Sequence, residues 1–226
     1  MADSTTRAKK VPFGFLRNTE YGNASILNIQ HSGHSDKMHR LRTRDQDICT
    51  LQSEFNMKIF VIGDSISIQY GPYLEQLLAG KHQYRRKQGE AAALQNLDIA
   101  QGANGGDSSM VLAYLRYMQA NSGIDADLLL LNCGLHDIKT NPATGGKQVE
   151  LDLYRKNLEA IVAIVNSMSP RLVWMRTTPC DEKVHNTPGK DFYRFAADVE
   201  AYNAAADAIM AAANIAVIDL NSFTHK

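Results

Sequence analysis

From Met57 onward the chain alternates short apolar runs with longer amphipathic stretches, and this pattern constrains the fold more than anything else in the sequence. It is the pattern of successive βαβ units feeding a parallel sheet. The first unit is the stretch 57–71, MKIFVIGDSISIQYG. Ile59, Phe60, Val61 and Ile62 form an unbroken β-branched and aromatic run, as expected of a strand covered on both faces. Gly63 permits a tight turn, Asp64 and Ser65 follow, and a helical pattern begins at once. Ser65 therefore stands at a strand-to-helix turn, where its hydroxyl is either a nucleophile or, with Asp64, a cap for the next helix. Ligands of open α/β sheets bind beyond the carboxyl ends of the strands, which is where this turn falls.

Four further strands are expected along the chain. The second is placed near Leu97 to Ala100, after a helix with Tyr73, Leu74, Leu77 and Leu78 on one face and a basic, polar loop from Lys81 to Gly89. The charges of that loop, His82, Arg85, Arg86 and Lys87, read as a solvated run or as contacts to an anionic ligand. The turn Gly102-Ala-Asn-Gly-Gly-Asp-Ser-Ser109 follows, then a helix with Val111, Leu112, Leu115 and Met118 inward. The third strand, 127–132, carries four leucines and ends in Cys133-Gly134-Leu135-His136-Asp137. Leu151, Tyr154, Leu158, Ile161, Val162 and Val165 recur at helical spacing and mark core. The fourth strand is 171–178 and the fifth 216–220, with an alanine-rich helix between them.

Composition narrows the function. With 24 basic and 24 acidic residues among 226, the chain lacks the charge footprint of a nucleic-acid or membrane-surface binder, and a small neutral substrate suits it better. No apolar stretch reaches membrane-spanning length and no signal peptide is seen, so a soluble intracellular protein is the default expectation. The three cysteines, Cys49, Cys133 and Cys180, are too widely spaced for a disulfide framework or a paired metal or redox motif. Residues 1–56 show no sustained periodicity and are expected to be a poorly ordered extension, an appended leader before a domain at 57–226. His31, His34, Asp36 and His39 cluster there in a spacing that fits no closed zinc site, and no metal is expected.

The turns at Ser65, Gly105-Gly106 and Gly134–His136 each follow one of the first three strands, so a parallel sheet brings them to one edge. Together they offer a hydroxyl nucleophile, a glycine turn whose N–H can point inward, and a hydrogen-bond-donating side chain. Acyl transfer needs those parts, because negative charge develops on the carbonyl oxygen and must meet fixed donors. Here the chain resembles the SGNH (GDSL-type) hydrolases, from Met57 to the end. Gly63-Asp64-Ser65-Ile66 resembles the first block, implying Ser65 as catalytic serine. Gly105-Gly106-Asp107-Ser108 resembles the second, implying the Gly106 N–H as an oxyanion donor. Gly134-Leu135-His136-Asp137 stands where the family has Gly-x-Asn-Asp, so His136 replaces the asparagine donor, with a strength that depends on tautomer and pH. The resemblance implies a doubly wound, five-stranded parallel sheet in a flavodoxin-like three-layer α/β/α sandwich. It also implies a serine esterase acting on small acyl esters, acetyl esters of carbohydrate among them, without a cofactor.

The last family block, Asp-x-x-His, carries the general base and its orienting carboxylate, and no such block occurs here. The sequence from Asp219 reads DLNSFTHK, and a C-terminally truncated domain is the expectation. His225 near the last strand and His185 beside Asp181 are substitutes outside the motif; His185, with Asp64, is expected to contact substrate. The rival reading is a catalytically impaired or non-catalytic α/β ligand-binding module. Neither GxxxxGK[ST] nor GxGxxG follows the first strand, which argues against nucleotide as its ligand.

Overall fold

The computed structural model describes residues 56–224. The N-terminal histidine cluster, Cys49 and His225 lie outside the described residues. Five strands, β1 (Lys58–Ile62), β2 (Gln83–Arg86), β3 (Leu128–Leu131), β4 (Arg171–Met175) and β5 (Ala216–Ile218), form one sheet in the order β2-β1-β3-β4-β5. Every pairing is parallel, with Ile59 opposite Tyr84 and Leu128, and Leu129 opposite Leu172. This is the doubly wound, flavodoxin-like order, with its switch point between β1 and β3. The helices are α1 (Ser65–Leu78), α2 (Glu90–Ala93), α3 (Ser108–Ala120), α4 (Leu151–Asn166), α5 (Glu182–His185), α6 (Ala196–Ala212) and α7 (Leu220–Thr224). No helix among the described residues is long and apolar enough to cross a membrane.

The two-residue period of a strand divides the apolar runs between two layers. Ile62, Leu129, Leu131, Leu172 and Trp174 face α3, α4 and α6, packing against Val111, Leu115, Tyr154, Leu158, Tyr202 and Met210. Ile59, Val61, Leu130, Val173 and Met175 face the other way, against Tyr70, Leu74 and Leu78 of α1 and Leu220 of α7. The helical stripe of α4 is buried as its spacing predicts, Tyr154, Leu158, Ile161, Val162 and Val165 all being core.

One strand lies elsewhere than expected. The second strand is β2, inside the segment read as a basic loop, while Leu97 to Ala100 is irregular, with Ile99 half exposed. As an edge strand β2 needs no continuous apolar run. It alternates, with exposed Gln83 and Arg85 against inward Tyr84 and Arg86. Arg86 is held in its buried place by the start of α1, where Nη1 donates to the Ser67 carbonyl at 2.9 Å and Nη2 to Ser67 Oγ at 3.0 Å, while Nε, without a hydrogen bond among the described residues, faces the Glu90 carboxylate at 3.5 Å. Arg85 pairs with Asp125 at 3.5 Å and the Lys87 ammonium donates to the Gly102 carbonyl. The basic run is thus largely structural.

Candidate active site

Ser65 is the first residue of α1, and Asp64 is its N-cap, accepting the Ile66 N–H on Oδ1 at 3.0 Å. The capping bond of this turn is thus made by the Asp64 side chain and not by the Ser65 hydroxyl. The Ser65 side chain is half-buried, and its N–H has no partner among the described residues. A free N–H at a helix start is a donor aimed outward along the positive end of the helix.

The three turns are bonded to one another. Gly63 pairs with Asn104 in an isolated parallel bridge, and the Gly105 N–H donates to the Gly63 carbonyl at 2.8 Å. The third turn joins through Asp137, whose Oδ1 accepts the Ser108 N–H at 2.9 Å, and through Asn104 Nδ2, which lies 3.4 Å from His136 Nε2. Asp107 caps α3, accepting the Met110 N–H at 3.0 Å.

Asn104 organises this edge. It is buried, and its Nδ2 donates to the carbonyls of Leu97 and Ile99 at 3.1 and 3.2 Å, which fixes Oδ1 as the acceptor of the Gly106 N–H at 3.0 Å. The Gly106 N–H, expected to be a free oxyanion donor, is therefore already engaged. Gly106 has φ +76°, and a Cβ there would lie 2.7 Å from Ala100 Cβ and Met110 Sδ, so both conformation and space demand glycine. His136 Nε2 lies 3.4 Å from Asn104 Nδ2, whose two hydrogens are already given to the Leu97 and Ile99 carbonyls.

Burial pushes the His136 imidazole down to about 3, with the Lys139 and Arg194 charges adding to the effect. It is neutral at neutral pH, so the expected pH-sensitivity of this donor moves far into the acid range. Burial also raises two carboxyls of these turns. Asp64 is pushed up to about 6, opposed by its bond to Ile66 and by Arg194, and Asp137 up to about 7, opposed by its bonds to Ser108. Each leaves one buried carboxyl oxygen, Oδ2, without a partner among the described residues, as a protonated carboxyl tolerates better than a carboxylate.

His185, one of the two substitute bases, ends α5 and has both ring nitrogens occupied. Arg194 cannot accept, so His185 Nε2 accepts from Arg194 Nη1 at 2.9 Å, and Nδ1 faces Asn186 Oδ1 at 2.9 Å. That arrangement leaves the ring no free lone pair for a serine proton. Asp181 is turned to α5, where its Oδ1 accepts the Lys183 and Val184 N–H groups. His82 accepts from the Met57 N–H, at the opposite end of β1 from Ser65.

Two cavities open here. One of about 400 Å³ is lined by Ile66, Leu135, Thr178, Val184, His185 and Arg194. The other, about 260 Å³, is lined by Ala100, Met110, His136, Lys139 and Gln148 among others. Sequence reasoning missed Asn104 and Arg194. An asparagine before Gly-Gly is a turn signal that could have revealed the first, since its side chain bonds the backbone two residues on. Arg194 sits between Tyr193 and Phe195, and a lone cation among aromatics is a weak sign of a buried charge. Among the described residues no three metal-ligating side chains cluster, and Cys133 and Cys180 are free thiols.

A parallel α/β/α sandwich with its polar turns gathered at the carboxyl edge of the sheet is an architecture that SGNH hydrolases share with other flavodoxin-like proteins. The chain belongs to the GDSL-like lipase/acylhydrolase family, whose model matches residues 61–226. Solved structures of similar fold include an acetyl xylan esterase, at 14% identity and TM-score 0.51, covering 74% of this chain and 79% of that one. A lipase/acylhydrolase from Enterococcus faecalis aligns at 15% identity and TM-score 0.52, covering 74% and 77%. A GDSL-like lipase from Bacteroides thetaiotaomicron aligns at 14% and 0.50, covering 81% and 77%. At such identities the likeness is one of fold. No curated protein sequence matches the chain.

Proposed function

We propose that this chain, through its 57–226 domain, is a serine esterase that hydrolyses small acyl esters, acetyl esters of carbohydrate among them, by way of an acyl-Ser65 intermediate. Family membership supports ester hydrolysis in general, and the acetyl xylan esterase of similar fold is the relative that suggests acetyl groups on sugars. The observation that carries the reading is the Ser65 turn, a half-buried serine whose N–H has no partner among the described residues, bonded by way of Gly63 to the Gly105-Gly106 turn. Ser65 Oγ attacks the ester carbon as the carbonyl electrons move onto oxygen. The oxyanion collapses, the bond to the alcohol oxygen breaks, and the proton that Ser65 Oγ gives up passes to the leaving alcohol. Water then attacks the acyl-serine, one of its protons returns to Ser65 Oγ, and the acid is released. The free Ser65 N–H is the first oxyanion donor, Gly106 N–H shares its bond between Asn104 and the oxyanion, and His136 serves as a neutral donor beside them. Asp64 holds the turn as helix cap, and His185 lines the adjoining cavity as a substrate contact.

The rival reading, a ligand-binding module of impaired activity, is favoured by one observation. Among the described residues no histidine offers Ser65 a free basic nitrogen, since His136 is held neutral, His185 is bonded to Arg194, and His82 is at the far end of β1. A positioned base is worth about 10²- to 10⁴-fold, so its lack would leave slow rather than absent turnover. Hydrolysis of p-nitrophenyl acetate at neutral pH, beside Ser65→Ala and with active-site titration, decides between them. The esterase reading expects an activity that the variant lacks. Equal rates for folded wild type and variant would favour the binding module.

A further inference from the structure

The esterase reading makes no use of Arg194, although it is the most unusual charge near Ser65. The residue is only 7% exposed. Its Nε donates to the Leu135 carbonyl at 2.7 Å, Nη1 bonds His185 Nε2 at 2.9 Å, and the guanidinium lies over the Phe192 ring at 4.8 Å. These bonds staple the loop after β4 to the turn that carries His136, and a structural role would end there. Two features remain unexplained. The nearest carboxylate in an ion pair with it, Asp98, is 3.9 Å away and half exposed, and Nη2 has no partner among the described residues. Burial outweighs the pull of Asp98 and Asp64 on this group, lowering its proton affinity, so the cation is incompletely neutralised. A buried arginine is ordinarily matched by a bidentate carboxylate. Here that place is open, on the wall of the cavity of about 400 Å³ that Ile66, next to the candidate nucleophile, also lines. The other charges on that wall do not fill it. Asp181 is spent on capping α5, and Lys190 is an exposed cation.

We propose that Arg194 anchors a carboxylate carried by the substrate, so that the preferred esters are anionic: half-esters of dicarboxylic acids, or acyl esters of acidic sugars. This rests on the esterase reading of Ser65 and narrows its substrate class. His185 and the Leu135 carbonyl hold the guanidinium plane in place, and Nη2 presents its N–H groups to the incoming carboxylate.

Calorimetric titration of the full chain, beside Ser65→Ala, Arg194→Gln and Arg194→Lys, with succinate, glucuronate and the uncharged methyl ester of glucuronate tests the assignment. Wild type and Ser65→Ala should bind at least one carboxylate about tenfold or more tighter than the methyl ester, as befits a charge-assisted hydrogen bond. Arg194→Gln should lose that preference and Arg194→Lys should keep part of it. Tighter succinate puts the charge on the acid half of the ester and tighter glucuronate on the alcohol half, and either supports the proposal. Wild type that favours neither carboxylate, or a preference that survives in folded Arg194→Gln, overturns it. Should that variant not fold, an undiminished preference in Arg194→Lys overturns it instead, since lysine lacks the two-donor fork. Failure of the esterase reading shows separately, as equal ester hydrolysis by wild type and Ser65→Ala with the carboxylate preference intact.

Discussion

At Ser65 the proposed nucleophile and first oxyanion donor belong to one residue, and what surrounds them is fixed by a single side chain. Asn104 reads three turns at once, the carbonyls of Leu97 and Ile99, the N–H of Gly106 and the ring of His136. Asn104→Ala removes the donor from the Leu97 and Ile99 carbonyls and leaves the buried Gly106 N–H without its acceptor. It should therefore cost about 1–3 kcal/mol in urea unfolding and lower ester hydrolysis with it. An unfolding midpoint equal to that of wild type would contradict this account of the turn. Ser65 and His136 were legible in the sequence because each follows a recognisable strand, and Gly106 because its Gly-Gly pair marks a turn, although the strand expected just before it is irregular. Asn104 and Arg194 were not, because their importance lies in what is folded against them. The burial of Arg194, a cation between two aromatics, depends on Leu135 and His185, both distant in sequence.

Among the elements, β1, β3 and β4 were plain because burial on both faces requires continuous apolar runs. The edge strand β2 was hidden for the opposite reason. Only Tyr84 and Arg86 turn inward, and the arginine is admitted by the hydrogen bonds it donates to a helix the sequence does not place beside it. Arg86→Ala should thus strike the start of α1 rather than a solvated loop. Loss of two charge-assisted bonds to Ser67 is expected to lower stability by about 1.5–3 kcal/mol. It should also raise hydrogen exchange at Ser67 and Gly71, whose neighbourhood the guanidinium fills. A variant as stable as wild type would return the segment to a surface role. β5 is the other edge, and its Val217 and Ile218 are about 40% exposed despite their apolar type.

For the whole molecule the buried ionisable groups set how stability follows pH. Asp64 and Asp137 have raised folded values, about 6 and 7, so the folded state binds their protons more tightly than the unfolded chain. The stability they contribute is full below about pH 4 and is lost as pH rises through 6 to 7. His136, lowered to about 3, acts oppositely, its contribution being lost as pH falls from about 6.5 toward 3. Two carboxyls against one imidazole leave a net loss of stability with rising pH between about 4 and 6, on the order of 1.4 kcal/mol per pH unit per proton. Asp137→Asn keeps an acceptor for the Ser108 N–H without the titration, so its unfolding free energy should be flatter across pH 4–7 than that of wild type. An unaltered slope would contradict the burial argument.

The central claim is that Ser65 is a nucleophile poised for acyl transfer, and a fluorophosphonate tests it most directly. Attack by Ser65 Oγ forms the oxygen–phosphorus bond and expels fluoride. Peptide mass spectrometry of the labelled, folded chain should find one adduct, on Ser65, absent from Ser65→Ala and from unfolded protein. A folded chain that takes no label, or takes it equally in the variant, would contradict the account.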